Sequence, residues 1–148
     1  MTNVDEEWGE KCEEIFLLTI NMYNKTKNKN CVYDFKHKKN EKNIAELKSR
    51  RYNFSWCPDW QISQHKFQQF KMLYNQGYKI IVYNLFYDGL YYWRYTPDKA
   101  IKECNYRFGG RDDRGKNERK PYHYIKGEFM KKSRYNIKAP DLFDECLI

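Results

Sequence analysis

The sequence predicts a single α/β domain with a small mixed sheet flanked by helices. Apolar residues recur at helical spacing over residues 5–24, and an almost continuous apolar run covers residues 78–87. The predicted elements follow the order helix, strand, strand, helix, strand, strand, which is typical of an α/β sandwich. With 148 residues and an aromatic content of 18%, the chain can build one hydrophobic core, so disorder throughout the chain is not expected.

The N-terminal part predicts a helix followed by a hairpin. In residues 5–24 the residues at three- and four-residue steps are Trp8, Cys12, Ile15, Phe16, Thr19, Met22 and Tyr23. The polar residues 24–30 predict a loop. Residues 31–37 and 43–51 have the composition of strands, and the short polar link between them favours a β-hairpin. No strand is predicted ahead of this hairpin.

A loop and a second helix follow. Residues 52–59 predict the loop, and the helix then extends to about residue 76. Either Asp59 or Ser63 can cap its N-terminus, because a side-chain oxygen there accepts from an unpaired backbone N–H. Gly77 is a natural residue to end the helix.

The strongest strand prediction covers residues 78–87, whose apolar character suits a central strand. Asp88-Gly89 predicts a tight turn, after which residues 90–95 return as the partner strand. The sequence therefore predicts a second hairpin next to the second helix.

The C-terminal part is less regular. Residues 107–120 predict a mobile basic loop, and residues 122–133 predict a short strand or helix. We expect one domain over residues 1–148, with a core of about 5–95 and a basic C-terminal extension of about 96–148.

Net charge points to a polyanionic partner. The chain carries 28 Lys and Arg against 20 Asp and Glu, a formal charge of +8. Residues 107–134 contain ten Lys or Arg and four Asp or Glu. A basic segment of this kind is the electrostatic footprint of nucleic-acid binding, although a solvated surface rich in Lys and Asn would look the same.

Other features of the sequence argue against a membrane-spanning protein and a secreted one. No apolar run reaches the roughly 20 residues that a transmembrane helix needs, so we expect no membrane partner. The five cysteines are scattered without a CxxC pair, and no export signal is found, which indicates a reducing compartment in the cytoplasm or nucleus. The bias toward Lys, Asn, Tyr and Ile suggests an AT-rich source such as a virus or phage, acting inside its host cell.

The most informative constellation is Asp34 followed by Glu46-Leu47-Lys48 on the next predicted strand. Strand alternation places Glu46 and Lys48 on one face, and a hairpin partner can bring Asp34 beside them. Burying such groups is costly unless they pair or bind a metal. Asp34, Glu46 and the Leu47 backbone carbonyl offer the oxygen ligands that Mg²⁺ or Mn²⁺ prefers. Lys48 can orient or deprotonate an attacking water.

These residues resemble the signature of the PD-(D/E)xK nuclease superfamily, in which an acidic residue precedes an acidic-x-Lys triplet on the following strand. The resemblance covers residues 5–95 and implies a restriction-endonuclease-like αββαβ core with a divalent metal. Gly9-Glu10-Lys11-Cys12-Glu13 resembles the helix of that family that carries a further acid, which implies Glu13 as an additional catalytic and metal-binding residue.

Two further points qualify this resemblance. In that family the following helix often sends a Gln or Lys toward the site, which implies that Gln64 and Lys66 contact the phosphate or position water. Polar residues there are also explained by a solvated helix face. A rival register would use Asp34-Phe35-Lys36 as the triplet together with Glu13.

We therefore expect a Mg²⁺- or Mn²⁺-dependent endonuclease that hydrolyses phosphodiester bonds, in DNA rather than RNA. The predicted catalytic residues are Asp34, Glu46, Lys48, Glu13 and Gln64. The predicted metal ligands are Asp34, Glu46, Leu47 and Glu13. The predicted nucleic-acid contacts are Lys66, Arg107, Arg111, Arg114, Lys116, Arg119, Lys120, Lys131 and Lys132. A homodimer would allow both strands to be cut.

Two alternatives remain open on the sequence. A non-catalytic nucleic-acid-binding protein of the same fold would use the basic segment and the tyrosines of residues 90–95, since aromatic rings stack on bases. An interaction module would instead bind protein partners through its acidic helix and basic tail, without affinity for nucleic acid.

Overall fold

A six-stranded mixed sheet forms the centre of the molecule. The computed structural model describes residues 3–26, 33–56, 59–109 and 120–141. In spatial order the strands of this sheet are β1 (Tyr23–Lys25), β2 (Phe35–His37), β3 (Asn43–Ser49), β5 (Lys79–Phe86), β6 (Gly89–Tyr95) and β9 (Lys131–Lys132). A smaller antiparallel sheet contains β4 (Asp59–Ser63), β8 (Lys120–Lys126) and β7 (Cys104–Gly109) in that order.

Within the described ranges, helices lie on both sides of the central sheet. They are α1 (Asn3–Thr19), α2 (Gln64–Asn75) and the short α3 (Pro97–Lys102), with single 3₁₀ turns at Phe54–Trp56 and Gly127–Phe129. None of these helices is long and apolar enough to cross a membrane.

The strand connections confirm the predicted mixed α/β architecture. β2 and β3 form an antiparallel pair with Phe35 opposite Ala45. β3 and β5 are parallel, and the connection between them contains β4 and α2. Parallel neighbours need such a crossover, whereas the antiparallel pair β5–β6 is joined by a two-residue turn. This arrangement is compatible with a restriction-endonuclease-like core.

Two hydrophobic clusters hold the helices to the sheet. On one face, Trp8, Cys12 and Phe16 of α1 are buried against β2, β3 and β5. On the other face, Phe67 and Phe70 of α2 pack with residues of β4, β5, β6 and β8. The alternating sides of β3 therefore face different helices, which decides where each of its polar side chains lies.

The C-terminal part is packed into both clusters. Ile125 and Met130 are buried in the cluster next to α2, and Ala139 is buried in the cluster next to α1. The Trp8 indole Nε1 donates a hydrogen bond of 2.8 Å to the Pro140 carbonyl. Residues beyond 95 thus complete the sheets and the core in the described structure.

Several sequence predictions were wrong in their boundaries. The first helix ends at Thr19, and the following residues form β1, whose Tyr23 is buried opposite His37. The predicted absence of a strand ahead of the hairpin is therefore incorrect. A three-residue strand has almost no periodic signal, so its pairing depends on the strand beside it.

The segment before α2 was also misjudged. Asp59–Ser63 is the strand β4, with Trp60 and Ile62 buried in alternation, and the helix begins only after it. The helix prediction failed there because five residues with a period of two were merged into the helix that follows. Part of the predicted basic loop is likewise strand, because Cys104–Gly109 pairs with Lys120–Lys126; residues 110–119 lie outside the described structure.

Ser63 is the N-cap of α2, and its side-chain oxygen accepts a hydrogen bond of 3.1 Å from the Lys66 backbone N–H. We expect Ser63→Ala to reduce the free energy of unfolding by about 1 kcal/mol, since an unpaired helix N–H is then left. Urea denaturation of the two proteins measures this difference. Ser55→Ala removes an exposed hydroxyl in the Phe54–Trp56 turn, and a loss as large in that variant would contradict the assignment.

Candidate active site

The β2–β3 pair brings Asp34 against the middle of β3. Its backbone N–H donates to the Ala45 carbonyl at 3.2 Å, and its carboxylate Oδ2 accepts from the Leu47 backbone N–H at 2.9 Å. Asp34 is the residue directly before β2. Its carboxylate accepts the Leu47 N–H that a backbone carbonyl of a longer β2 would otherwise accept. The carboxylate is therefore fixed by the same hairpin that the sequence predicts.

Glu46 lies beside Asp34 and is only 4% exposed. Its Oε1 is 3.3 Å from the Lys66 ammonium of α2 and 3.7 Å from the Lys48 ammonium. Its Oε2 is buried and has no hydrogen-bond partner in the described part of the chain. Two carboxylates and two lysines are thus gathered at one place, with a carboxylate oxygen still available for a ligand.

Burial dominates the electrostatics of both carboxylates. It raises the pKa of Asp34, an effect opposed by the Leu47 hydrogen bond and then by Lys48 and Lys66. Burial also raises the pKa of Glu46, and the charge of Asp34 raises it further. Lys66 and Lys48 act in the opposite direction but do not compensate fully. An additional cation between the carboxylates would relieve this repulsion.

These raised pKa values predict how stability changes with pH in the absence of divalent ions. A carboxyl group whose pKa is raised on folding binds more protons in the native state, so its favourable contribution is present at low pH and is lost as the pH rises through the raised value. We expect the double variant Asp34→Asn/Glu46→Gln to gain stability relative to the wild type as the pH increases from the ordinary carboxyl values of 3.8 and 4.5 toward neutrality. Thermal unfolding in chelator across this pH range measures the difference. A constant difference would contradict the electrostatic origin.

The other predicted catalytic residues, Glu13 and Gln64, contact side chains other than Asp34 and Glu46. Glu13 forms an ion pair of 2.7 Å with Lys25, and its charge adds a small upward effect to the pKa of Asp34. The Gln64 carbonyl oxygen accepts a hydrogen bond of 3.1 Å from the Tyr106 hydroxyl. In the rival register, Lys36 would replace Lys48, but its ammonium lies 3.7 Å from Glu41 instead.

The predicted nucleic-acid contacts are dispersed. Arg107 pairs with Asp59 at 3.2 Å and lies 3.7 Å from the centre of the Tyr124 ring. Lys120 lies over the Tyr122 ring on β8. Lys131 and Lys132 are exposed on the edge strand β9. Arg111, Arg114, Lys116 and Arg119 lie outside the described residues.

The ion pair between Lys66 and Glu46 is the contact that the sequence did not predict. The Lys66 ammonium lies 3.3 Å from Glu46 Oε1, and its contact with phosphate or water stays a prediction. The pairing of β3 and β5 as parallel neighbours was the missing signal, because the crossover places α2 over the face of β3 that carries Glu46.

The donor set suits a hard divalent cation with few protein ligands. No group of three or more His, Cys, Asp or Glu residues converges within the described structure. Mg²⁺ is usually held by one or two carboxylates together with waters and substrate phosphates, and Asp34 and Glu46 supply that number. The buried, unpartnered oxygen of Glu46 is the observation that fits such an ion.

Comparison with known proteins agrees with this geometry. No curated protein and no solved structure shows significant similarity to the chain. Residues 18–126 match the family described as "Phage putative PDDEXK endonuclease". This range covers most of the chain, including the hairpin with Asp34 and Glu46, helix α2 and the smaller sheet. The chain therefore belongs to this phage PDDEXK endonuclease family, and the resemblance to PD-(D/E)xK nucleases is confirmed.

Proposed function

We propose that the protein is a divalent-metal-dependent endonuclease that cleaves DNA, with Asp34 and Glu46 as the ligands of Mg²⁺ or Mn²⁺. One observation carries this proposal: the buried carboxylate of Glu46 and the half-buried one of Asp34 adjoin two lysines, and Glu46 Oε2 has no partner in the described structure. The family supports a nuclease, and the carboxylate pair supplies the chemistry.

Leu47 supports the same ion through its backbone. Its N–H points toward Asp34, and the carbonyl of a strand residue faces the same side as its N–H. The Leu47 carbonyl is therefore proposed as a third oxygen ligand. Glu13 is proposed as a more distant acid that comes into use when a second ion or the attacking water needs support, because Lys25 now holds its charge.

Divalent ions in such sites lower the pKa of a bound water and stabilise charge on the phosphate. The chain supplies the rest of the chemistry. Lys48 is the more exposed lysine, at 41% against 25% for Lys66, so we assign it the contact with the attacking water. Lys66 favours the ionised form of Glu46 through its shorter ion pair. The Gln64 amide N–H groups are proposed to donate to a phosphate or water, while its oxygen is held by Tyr106.

The exposed edge strand β7 of the smaller sheet supports a contact with nucleic acid. Most of β7 is exposed, including Tyr106 and Phe108 at 55% and 65%. Exposed aromatic rings can stack on the bases of a strand. Arg107 and Lys120 are proposed phosphate contacts, together with Arg111, Arg114, Lys116, Arg119, Lys131 and Lys132.

The test uses supercoiled plasmid, single-stranded DNA and RNA with Mg²⁺, Mn²⁺ or chelator. We expect metal-dependent cleavage of the plasmid by the wild type and none by Asp34→Asn, while the matched surface variant Asp98→Asn retains activity. Nicking without linearisation indicates cutting by single subunits, and direct linearisation indicates a dimer. Binding that persists in chelator with no cleavage under any condition would overturn the proposal in favour of a non-catalytic binding protein. Absence of both binding and cleavage would favour a protein-interaction module.

A further inference from the structure

A cavity with a mixed polar and apolar lining lies away from the carboxylates. Its volume is about 860 Å³, within the usual range for small-molecule sites. Tyr83 and Tyr92 are opposite each other in the register of β5 and β6, and Tyr83 packs with the cluster next to α1. Glu46 faces the other side of the sheet, where it meets Lys66 of α2. Tyr83 and Glu46 thus lie on opposite faces, and the cavity wall also reaches Ile44, Ile80 and Tyr95 of the cluster next to α2.

The charge of this cavity is strongly one-sided. Among the described residues its wall includes four cationic side chains and no carboxylate; the cations are Lys79, Arg94, Lys132 and Arg134. His37 lies beside them, against the Tyr23 ring at 5.9 Å. In a wall without acids these cations attract an anion, and two arginines can each form bidentate contacts with phosphate.

The same wall also presents aromatic rings. Arg94 lies 5.9 Å from the centre of the Tyr92 ring, and Arg134 lies 5.2 Å from that of Tyr135. Tyr23 and Tyr83 also line the cavity as largely buried residues, and their hydroxyls lie 3.4 Å apart. Stacking on such rings is available to any nucleobase, and the hydroxyls can bond to its edge.

We propose that this cavity binds a nucleotide unit, with the phosphate held by Arg94 and Arg134 and the base against the tyrosines. The wall offers both cations and aromatic rings, and a ligand that combines a phosphate with a flat ring can contact both kinds of side chain. Free nucleotides and the nucleotides of a strand share this chemistry. The site is separate from the metal-dependent cleavage proposed above, because none of the proposed catalytic residues lines it.

Calorimetric titration in chelator tests the proposal without cleavage. The probes are thymidine monophosphate, thymidine, inorganic phosphate and a 5′-phosphorylated pentathymidylate. We expect the monophosphate or the pentanucleotide to bind, and Arg94→Ala/Arg134→Ala to weaken that binding about tenfold or more. The control Lys102→Ala/Lys138→Ala removes the same charge from positions that do not line the cavity, and it should change affinity little.

The relative affinities of the probes show whether the ligand is a free nucleotide or a nucleotide within a strand. Tighter binding of the pentanucleotide than of the monophosphate indicates a strand, and binding of the monophosphate alone indicates a free nucleotide. Tyr92→Leu tests the aromatic half and should weaken both. Both arginines are exposed, so the double variant should fold, which circular dichroism verifies. The proposal is overturned if no nucleotide probe binds at millimolar concentration, if inorganic phosphate binds as well as the monophosphate, or if the control variant loses as much affinity as the arginine variant.

Discussion

Glu46→Gln should abolish cleavage while leaving the protein folded and more stable without metal. The substitution removes a ligand charge worth several kcal/mol of transition-state stabilisation, so we expect the cleavage rate to fall by about 10³-fold or more. Gln keeps an oxygen that can accept from Lys66, but it carries no charge that burial and Asp34 disfavour. The metal-free variant should therefore gain about 0.5–2 kcal/mol at neutral pH.

Two measurements test this pair of effects together. Single-turnover cleavage in Mg²⁺ gives the loss of rate, and urea denaturation in chelator gives the gain in stability. Glu41→Gln is the matched control, because Glu41 has an exposed carboxylate and forms only a 3.7 Å ion pair with Lys36. If Glu46→Gln cleaves at the wild-type rate, the assignment of Glu46 as a ligand is wrong. Inactivity combined with lower stability would instead indicate a structural role for its charge.

Substitution of either lysine next to Glu46 should change the cleavage rate, but with a different dependence on pH. Lys48→Ala should lower the rate by about 10²-fold or more at every pH, since it removes the group assigned to the attacking water. Lys66→Ala removes the strongest influence that lowers the pKa of Glu46. The pKa of Glu46 then rises further, and the acidic limb of the pH–rate profile should move to higher pH, with activity partly restored at alkaline pH.

Rate profiles from pH 5 to 9 at saturating Mg²⁺ separate the two roles. Lys66→Arg keeps the positive charge near Glu46 and should return the acidic limb toward its wild-type position. Lys48→Arg should not restore the rate, because an arginine side chain stays protonated and cannot accept a proton from the attacking water. Lys102→Ala serves as control, because Lys102 forms an exposed ion pair with Asp98 on α3. A Lys66→Ala profile that is lower at all pH values without a shift would contradict the positioning role.

The local sequence pattern was sufficient to predict several of the helices, strands and turns of this fold. The hairpin with Asp34 and Glu46, the cap at Ser63, the stop at Gly77 and the long strand β5 all follow from side-chain period and turn chemistry. Gly77 has a φ of 92°, a conformation that favours glycine. The two-residue turn after β5 is displaced by one position, with Tyr87 and Asp88 at its centre and Gly89 at a φ of 152° as the first residue of β6.

The sequence by itself determined the class of fold, the order of the main elements and the close approach of Asp34 to Glu46-Leu47-Lys48, because neighbouring strands of a hairpin need no distant contacts to meet. Only the tertiary structure decided the short strands β1 and β4, the pairing of β7 with β8, and the ion pair between Lys66 and Glu46. These features depend on which strand or helix lies alongside. That choice is made by burying Tyr23 in the cluster next to α1, and Trp60, Phe67 and Ile125 in the cluster next to α2. Segments far apart in the chain come together only when that burial offsets the entropy of closing the loops between them.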